Sequence, residues 1–500
     1  MSKFFTFFSL FTFFCLINAC KIPYDDVDFN VKLTPEYAVP LVQTNMNMGD
    51  LFERFDGSSY LKIQANGRLM MSYKSRVLET PPFNLFATLP DVQTFPITEQ
   101  NTVISFPSPN DTRIDAIDFK KGFLKWRFDA QSTSLNVNIS IPQLTKNGQM
   151  FRANFILSDT PYRDSIDLNG WTCTPTQDNI VISYVAKTAS GETVSLNFQG
   201  AYEITRFEYK TVKGYFGQLF IPLPKDSLGF DFFQLWKKNG KILFTEPTIT
   251  VNFENSMGVQ TRIVTSTAET VNQAGERYAL QSPLTLGVNI NNPTFGQIGT
   301  FQKTAVTIDN KNSNLTTLVS TAPILFSQSI VALINIGNTS KVAGFLNDDS
   351  RLRVSFGVDI PFVGTAENFV VYDTLALDLA KFSEVANAEF KITTDNGLPI
   401  DMKIQGYFIN STGSIIDSLV QKEPLILRGA PTTSAGTTIG TSLAYNFVKM
   451  DAAKFTNIRS AKKVIVKYTV SSTNNGANPV IVNSSQNFGL KLGVRVGVNL

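Results

Sequence analysis

Apolar and polar residues alternate one by one along much of this chain, and this period is the strongest constraint on its fold. In residues 135–141 aliphatic side chains occupy every second position, and residues 249–253 repeat the pattern. Successive side chains of a strand point to opposite faces of a sheet, so these runs predict strands with one buried face. The expected fold class is mainly β: a multi-domain protein of antiparallel β-sandwich-like modules with a few short covering α-helices.

Three predicted strands in the second half share one pattern. At residues 284–290, 354–360 and 490–496, a glycine at the same polar-face position is followed directly by valine. Glycine weakens a strand, so its recurrence predicts a bulge, a bend or a close approach by another backbone. We interpret the three as a divergent internal repeat, with coincidence as the alternative. The last belongs to an alternating run over residues 488–500, which predicts a sheet edge or a sandwich-core strand.

Helical spacing of apolar residues is confined to short segments. It predicts amphipathic helices over residues 375–385 and 450–458, and a weaker one over 231–236. The first two lead into alternating runs that end in Asn396-Gly397 and Asn475-Gly476. Because asparagine and glycine tolerate positive φ, these dipeptides predict hairpin turns.

Small and turn-forming residues divide the chain. The alternation lapses at residues 106–110, 364–366 and 429–436, which are predicted linkers or loops. We expect an N-terminal β region over residues 34–110, a middle β domain over 111–300 and C-terminal β-rich, repeat-like modules over 301–500.

The chain has 500 residues and no histidine. This excludes Ser-His-Asp and Cys-His catalysis and His-ligated zinc. A pair of carboxylates could still hydrolyse a glycosidic bond, although position singles out no pair among the 41 acidic residues. The net charge of +3, or +2 once Lys3 leaves with the leader, is too small to draw the protein onto nucleic acid.

The first 19 residues form a predicted secretion signal, with Lys3 followed by an apolar stretch over residues 4–17. At 1.5 Å per residue this stretch is too short to cross a hydrocarbon core of about 30 Å. The cleavage region, residues 16–20, reads LINAC and resembles the lipobox of bacterial lipoproteins, with Asn18 as its one departure. The resemblance implies that Cys20 becomes the first residue and carries acyl chains. The alternative is ordinary cleavage after Ala19, which leaves Cys20 unmodified.

Residues 20–33 form an expected acidic tether that contains Asp25, Asp26 and Asp28. This segment resembles the export signal of Bacteroidota-type surface lipoproteins, with a merely solvated linker as the alternative. Four triplets resemble the O-glycosylation sequon of the same bacteria, and those at residues 226 and 373 also stand where helix N-caps are expected. The triplets are Asp164-Ser165-Ile166, Asp226-Ser227-Leu228, Asp373-Thr374-Leu375 and Asp417-Ser418-Leu419.

Other residues with chemical potential have structural interpretations beside their functional ones. Cys173 follows Trp171 closely, has no partner for an intrachain disulfide and is expected in the core. Asp348 and Asp349 are either calcium ligands or, as we favour, solvated loop residues. Six aromatic residues are considered as a sugar-stacking platform but are mostly expected in the core: Trp126, Trp171, Trp236, Tyr202, Tyr209 and Tyr215.

These features predict a non-enzymatic, lipid-anchored outer-membrane lipoprotein that acts as a binding or scaffolding subunit at the cell surface. Acyl chains on Cys20 provide the anchor, and the partner is a glycan or an outer-membrane protein. We expect no cofactor, no metal and no nucleic acid. Two alternatives stay open: a carboxylate-based polysaccharide hydrolase, and a lipid carrier with an apolar groove.

Overall fold

The computed structural model describes residues 36–49, 60–82, 92–105, 111–196, 200–234, 240–376, 385–421 and 423–498. Strands dominate this part of the chain, and every strand pair in it is antiparallel. The predicted fold class, mainly β with several antiparallel sheets and a few short helices, is confirmed.

The largest sheet is built mainly from the middle of the chain. In β8 the residues at positions 135, 137, 139 and 141 are all buried, as the alternation predicts. Its eleven described strands are β5 (Val92–Pro96), β6 (Asn101–Ser105), β7 (Arg113–Phe128), β8 (Leu135–Lys146), β9 (Gln149–Leu157), β10 (Tyr162–Asp167), β11 (Thr172–Cys173), β12 (Asn179–Lys187), β13 (Thr193–Val194), β14 (Gly200–Tyr215) and β24 (Gly344–Asn347).

Two six-stranded sheets pack against each other where the rings of Phe326 and Phe356 meet edge to face, 5.6 Å apart. The first contains β2 (Leu61–Ile63), β3 (Leu69–Lys74), β4 (Leu78–Glu79), β18 (Thr248–Asn255), β22 (Gln302–Ile308) and β25 (Leu352–Pro361). The second contains β15 (Leu219–Pro222), β16 (Asp226–Gly229), β19 (Thr261–Asn272), β20 (Arg277–Ala279), β21 (Val288–Ile290) and β23 (Pro323–Ile334).

Three smaller sheets complete the described part. A three-stranded sheet contains β17 (Lys241–Phe244), β26 (Val363–Glu367) and β34 (Val480–Ile481). A four-stranded sheet has the spatial order β1 (Glu36–Asn47), β35 (Asn487–Val498), β28 (Val385–Asn396) and β32 (Ser442–Met450). A five-stranded sheet contains β27 (Phe369–Ala376), β29 (Ile400–Ile409), β30 (Ile415–Ser418), β31 (Leu425–Leu427) and β33 (Lys463–Ser472).

The described helices are short. They are α1 (Asp231–Gln234), α2 (Pro283–Leu286), α3 (Leu315–Ser320) and α4 (Ala452–Ile458), with 3₁₀ turns at Phe295–Gln297 and Asn474–Gly476. At the start of α4, the Asp451 carboxylate accepts a 2.8 Å hydrogen bond from the Lys454 backbone N–H, a typical N-cap. Within the described ranges, no helix has the length and hydrophobicity needed to cross a membrane.

Buried side chains form two separate cores. The larger joins the eleven-stranded sheet to both six-stranded sheets. The smaller lies between the four- and five-stranded sheets and makes these two a β-sandwich, which α4 covers. The smaller core contains Ala388, Phe408, Leu425, Val448, Met450, Phe455, Ile458, Ala461 and Val494.

Strand pairing joins the three regions expected from the sequence. In the N-terminal region, β1 pairs with β35 near the C-terminus, β3 pairs with β25, and β5 pairs with β14. The boundaries at residues 110 and 300 stay predictions. The segment expected as a linker at residues 106–110 lies outside the described residues, whereas that at 364–366 lies inside β26, so it is a strand and not a linker.

Of the three predicted strands that contain a Gly-Val pair, the prediction for residues 284–290 is wrong in its first half. Residues 283–286 form α2, which Pro283 starts at the first helical position. Gly287 ends the helix with φ of +93°, and a Cβ there would lie 2.4 Å from Nε of Arg262. The chain therefore bends at this glycine before β21 begins. The other two copies lie in β25 and β35 as predicted.

The Asn-Gly dipeptides do not form the predicted hairpins. Asn396 is fully buried and donates through its side chain to the carbonyls of Ile400 (3.1 Å) and Arg428 (2.9 Å). It thereby fixes a corner at which the chain leaves the four-stranded sheet for the five-stranded sheet. Asn475 has the expected positive φ of 55°, but β33 before it and β34 after it belong to different sheets.

The predicted helices are partly borne out. The one over residues 450–458 is confirmed by α4, and that over 231–236 corresponds to α1 as far as residue 234. Residues 377–384 of the third lie outside the described part, and the residues at its two ends belong to β27 and β28. The helix N-caps predicted at Asp226 and Asp373 are not formed. Asp226 lies in β16, which pairs with β23, and Asp373 lies in β27, which pairs with β33.

Candidate binding face

The outward side chains of β32 form an apolar strip on the surface. The inward residues Val448 and Met450 belong to the smaller core. On the other face, Leu443 is 58% exposed, and Tyr445 and Phe447 are each 56% exposed. Apolar residues thus occupy both faces of this strand, although only one face packs against the protein. We call Leu443, Tyr445 and Phe447 the apolar strip.

The free side of β32, called here the β32 edge, has no strand paired with it in the described part of the chain, although the Asn446 side chain donates a 3.4 Å hydrogen bond to the Ile426 carbonyl of β31. Its nine residues pair in continuous register with residues 388–396 of β28, without a bulge. The opposite edge of the sheet differs, because β1 contains Pro40 and its register shifts between Pro40 and Val42. Proline and bulges protect sheet edges from pairing with other chains. One edge of this sheet is therefore protected, and the β32 edge is not.

A lysine lies over the aromatic part of the strip. Lys391 of β28 is the direct cross-strand neighbour of Phe447. Its Nζ lies 5.5 Å from the ring centroid of Tyr445 and 6.0 Å from that of Phe447. The negative faces of aromatic rings attract cations at such distances. Lys391 therefore contacts both rings and occupies part of their faces.

A row of alternating charges crosses one end of the same face. The Glu389 carboxylate accepts a 2.8 Å hydrogen bond from Nη2 of Arg495 and lies 3.5 Å from Nζ of Lys449. Arg495 also lies 3.5 Å from the carboxylate of Glu36 on β1. The row thus joins all four strands and ends at the β32 edge with Lys449, whose side chain is 79% exposed.

The outward face of β35 alternates glycine with long cationic side chains, because Lys491 lies between Gly489 and Gly493, and Arg495 follows them. Gly489 and Gly493 lie opposite Asp395 and Lys391 and present no side chain.

The predicted lipidation residue, Cys20, lies outside the described residues. Cys173 is in the larger core, as expected, with 1% of its surface exposed. Burial raises the pKa of the Cys173 thiol to about 12. The reactive thiolate is therefore scarce near neutral pH, and this residue is a structural one.

Most of the aromatic residues considered for sugar binding are in the core. Trp126, Tyr202, Tyr209 and Tyr215 are each less than 9% exposed, Trp171 is half-buried, and Trp236 lies outside the described residues. The exposed rings of β32 were missed by reasoning from the sequence. The available signal was a strand with apolar residues in both phases of its alternation.

The two aspartates expected in a solvated loop or a calcium site, at residues 348–349, form ion pairs with basic side chains of the protein. Asp348 forms an ion pair with Lys120, and Asp349 forms one with Arg351. Within the described ranges, no group of three or more Cys, Asp or Glu residues is placed to hold a metal ion.

The eleven-stranded sheet surrounds a small apolar cavity. Its volume is about 30 Å³, and its lining includes Phe119, Leu144, Cys173 and Ile180. Pockets for small molecules measure about 300–1,000 Å³. This cavity is therefore too small for an acyl chain.

No protein-family model matches the chain, and neither does any curated protein. Among solved structures, a Parabacteroides distasonis protein named "putative secreted protein" has a TM-score of 0.31 at 10% identity, covering 92% of this chain and 99% of that one. An infectious bursal disease virus structure (Gx strain) has a TM-score of 0.16 at 8% identity, covering 79% and 75%. The PBSX exported protein XepA has a TM-score of 0.13 at 8% identity, covering 56% and 89%. Scores this low carry no inference about function.

Proposed function

We propose that this protein is a non-enzymatic, lipid-anchored subunit of the outer membrane that binds a protein partner through the β32 edge. Acyl chains on Cys20 attach it to the membrane, and the sandwich with the four-stranded sheet faces the outside of the cell. The observation that carries the proposal is the unprotected nine-residue edge beside three exposed apolar side chains. An open edge offers a row of backbone donors and acceptors to a strand of another protein.

The composition of the apolar strip favours a protein over a glycan. Sugars stack on free ring faces, but Lys391 covers part of the faces of Tyr445 and Phe447. Leu443 has no ring, yet it is as exposed as the two aromatic residues. Aliphatic and aromatic side chains at every second position instead suit cross-strand packing against an added strand.

The other two classes have less support. The lipid-carrier alternative needs an apolar groove, and the cavity in the eleven-stranded sheet is about 30 Å³. The hydrolase alternative needs two acids within about 10 Å of each other. On the outer face of the four-stranded sheet, Glu36 and Glu389 both pair with Arg495, and Asp395 lies six residues along β28 from Glu389, which is about 20 Å in a strand.

The test uses tagged full-length protein, purified with detergent from outer membranes of its host. The variant is Leu443→Lys with Tyr445→Lys, because lysine on an edge strand opposes pairing. Their direct cross-strand neighbours are Asp395 and Thr393, and Tyr445→Lys also brings a second cation beside Lys391, whose Nζ lies 5.5 Å from the Tyr445 ring. The control is Val103→Lys with Phe220→Lys, which adds the same charge at exposed positions of other sheets.

We expect a stoichiometric outer-membrane protein to co-purify with the wild type and the control, and its yield to fall at least about tenfold in the variant, which corresponds to 1.4 kcal/mol. Equal yields from all three proteins would overturn the proposal. Affinity electrophoresis in gels containing soluble polysaccharides provides the second readout. If the polysaccharide retards the wild type and the control but not the variant, the partner bound at the β32 edge is a glycan and not a protein.

A further inference from the structure

We infer that the segment bound at the β32 edge is an extended antiparallel strand with an acidic residue opposite Lys449 and apolar residues opposite the apolar strip. This inference rests on the proposed function and specifies the chemistry of its partner. It follows from the distribution of charge along the edge.

Lys449 has charge available for a partner. It shares Glu389 with Arg495, which is the closer cation at 2.8 Å against 3.5 Å for Lys449. The Lys449 side chain is 79% exposed and stands on the edge strand itself. An acid on an added strand would lie directly beside it and extend the row of alternating charges from four strands to five.

The other outward residues of β32 require apolar neighbours. Leu443, Tyr445 and Phe447 precede Lys449 at every second position, so one added strand meets all four side chains on one face. Directly opposed residues of antiparallel strands have Cβ atoms about 4.5–5.5 Å apart, close enough for apolar packing and for ion pairing. The matching strand therefore begins with an acid and continues with apolar residues at every second position.

We expect the partner strand to pair with β32 in the antiparallel direction, because every strand pair in the described part of the chain is antiparallel. It places the acid near the N-terminal end of the partner strand. A second copy of this chain fits less well, because the outward residues of β32 include no acid to face Lys449.

The test measures peptide binding to the full chain made without acyl chains by Cys20→Ala. Three fluorescent, N-acetylated nine-residue peptides alternate valine and threonine and differ only in the first residue: glutamate, glutamine or lysine. Anisotropy titrations are run with wild-type Lys449, with Lys449→Glu, and with the Leu443→Lys/Tyr445→Lys variant.

We expect the glutamate peptide to bind about two- to five-fold more tightly than the glutamine peptide, the size of a cross-strand charge pair, and the lysine peptide to bind most weakly. Lys449→Glu should reverse this order, and about 1 M salt should reduce the differences. Equal affinity for all three peptides would overturn the acidic partner while leaving edge binding intact. No binding by any peptide, or a wild-type dimer that the double-lysine variant abolishes, would overturn edge binding by a partner protein as well.

Discussion

Replacing Cys20 by alanine should abolish acyl labelling of this protein and move it from the membrane to the soluble fraction. Each buried CH₂ of an acyl chain contributes about 0.8 kcal/mol to membrane binding, and two chains anchor a protein stably. We therefore expect nearly complete loss of membrane association.

Metabolic labelling with a fatty-acid analogue and fractionation of cell extracts measure this effect. Cys15→Ala and Cys173→Ala are the controls, because Phe13 and Phe14 before Cys15 are too large for a lipobox and Cys173 is buried. Both controls should label like the wild type. Equal labelling of the Cys20→Ala protein would show that the leader is cleaved in the ordinary way.

Phe128→Ala should destabilise the larger core by about 3–5 kcal/mol, as for other buried phenylalanines. Phe128 is fully buried, and its ring centroid lies 5.2 Å from that of Phe155, 5.9 Å from Tyr184 and 6.2 Å from Tyr202. Its removal leaves a cavity among bulky side chains held on several strands, so collapse around it is limited. Such a loss is large beside a typical total stability of about 5–15 kcal/mol.

Urea unfolding followed by tryptophan fluorescence suits this measurement. Trp126 and Trp171 both pack against Phe151 in or beside the larger core, and the chain has only 3 tryptophans. Phe220→Ala is the control, since Phe220 is 68% exposed and its loss should change stability by about 0.5 kcal/mol or less. A change below about 1 kcal/mol for Phe128→Ala would contradict the description of this core.

Local sequence patterns predicted individual strands and helices of this fold better than they predicted which strands pair with each other. The alternation in residues 135–141 and the helical spacing over residues 450–458 act through neighbouring residues, and both elements are where they were expected. The pairing of Glu36 with Gly497 joins positions 461 residues apart, which no local pattern reveals. At Asn396 the buried side chain donates to the carbonyls of Ile400 and of Arg428, which is 32 residues away, and these contacts override the hairpin preference of Asn-Gly.

The candidate face shows the same limit. The sequence places apolar residues on both faces of β32, but it does not tell whether a strand lies at the edge of its sheet. That position depends on pairing with β28 alone, across more than forty residues of intervening chain. The exposure of Leu443, Tyr445 and Phe447 is therefore a property of the assembled sandwich. The leader, by contrast, is a local signal, and the prediction for Cys20 rests on it alone.

Hydrogen–deuterium exchange along β32 tests the central claim most directly. In the free, acyl-free protein, backbone amides of residues 442–450 that point away from β28 should exchange rapidly, because no strand protects them. Saturation with the glutamate peptide should slow these amides and leave those of residues 369–376 in β27 unchanged. Unchanged exchange in residues 442–450 when the peptide is bound would contradict the claim that the β32 edge binds a partner strand.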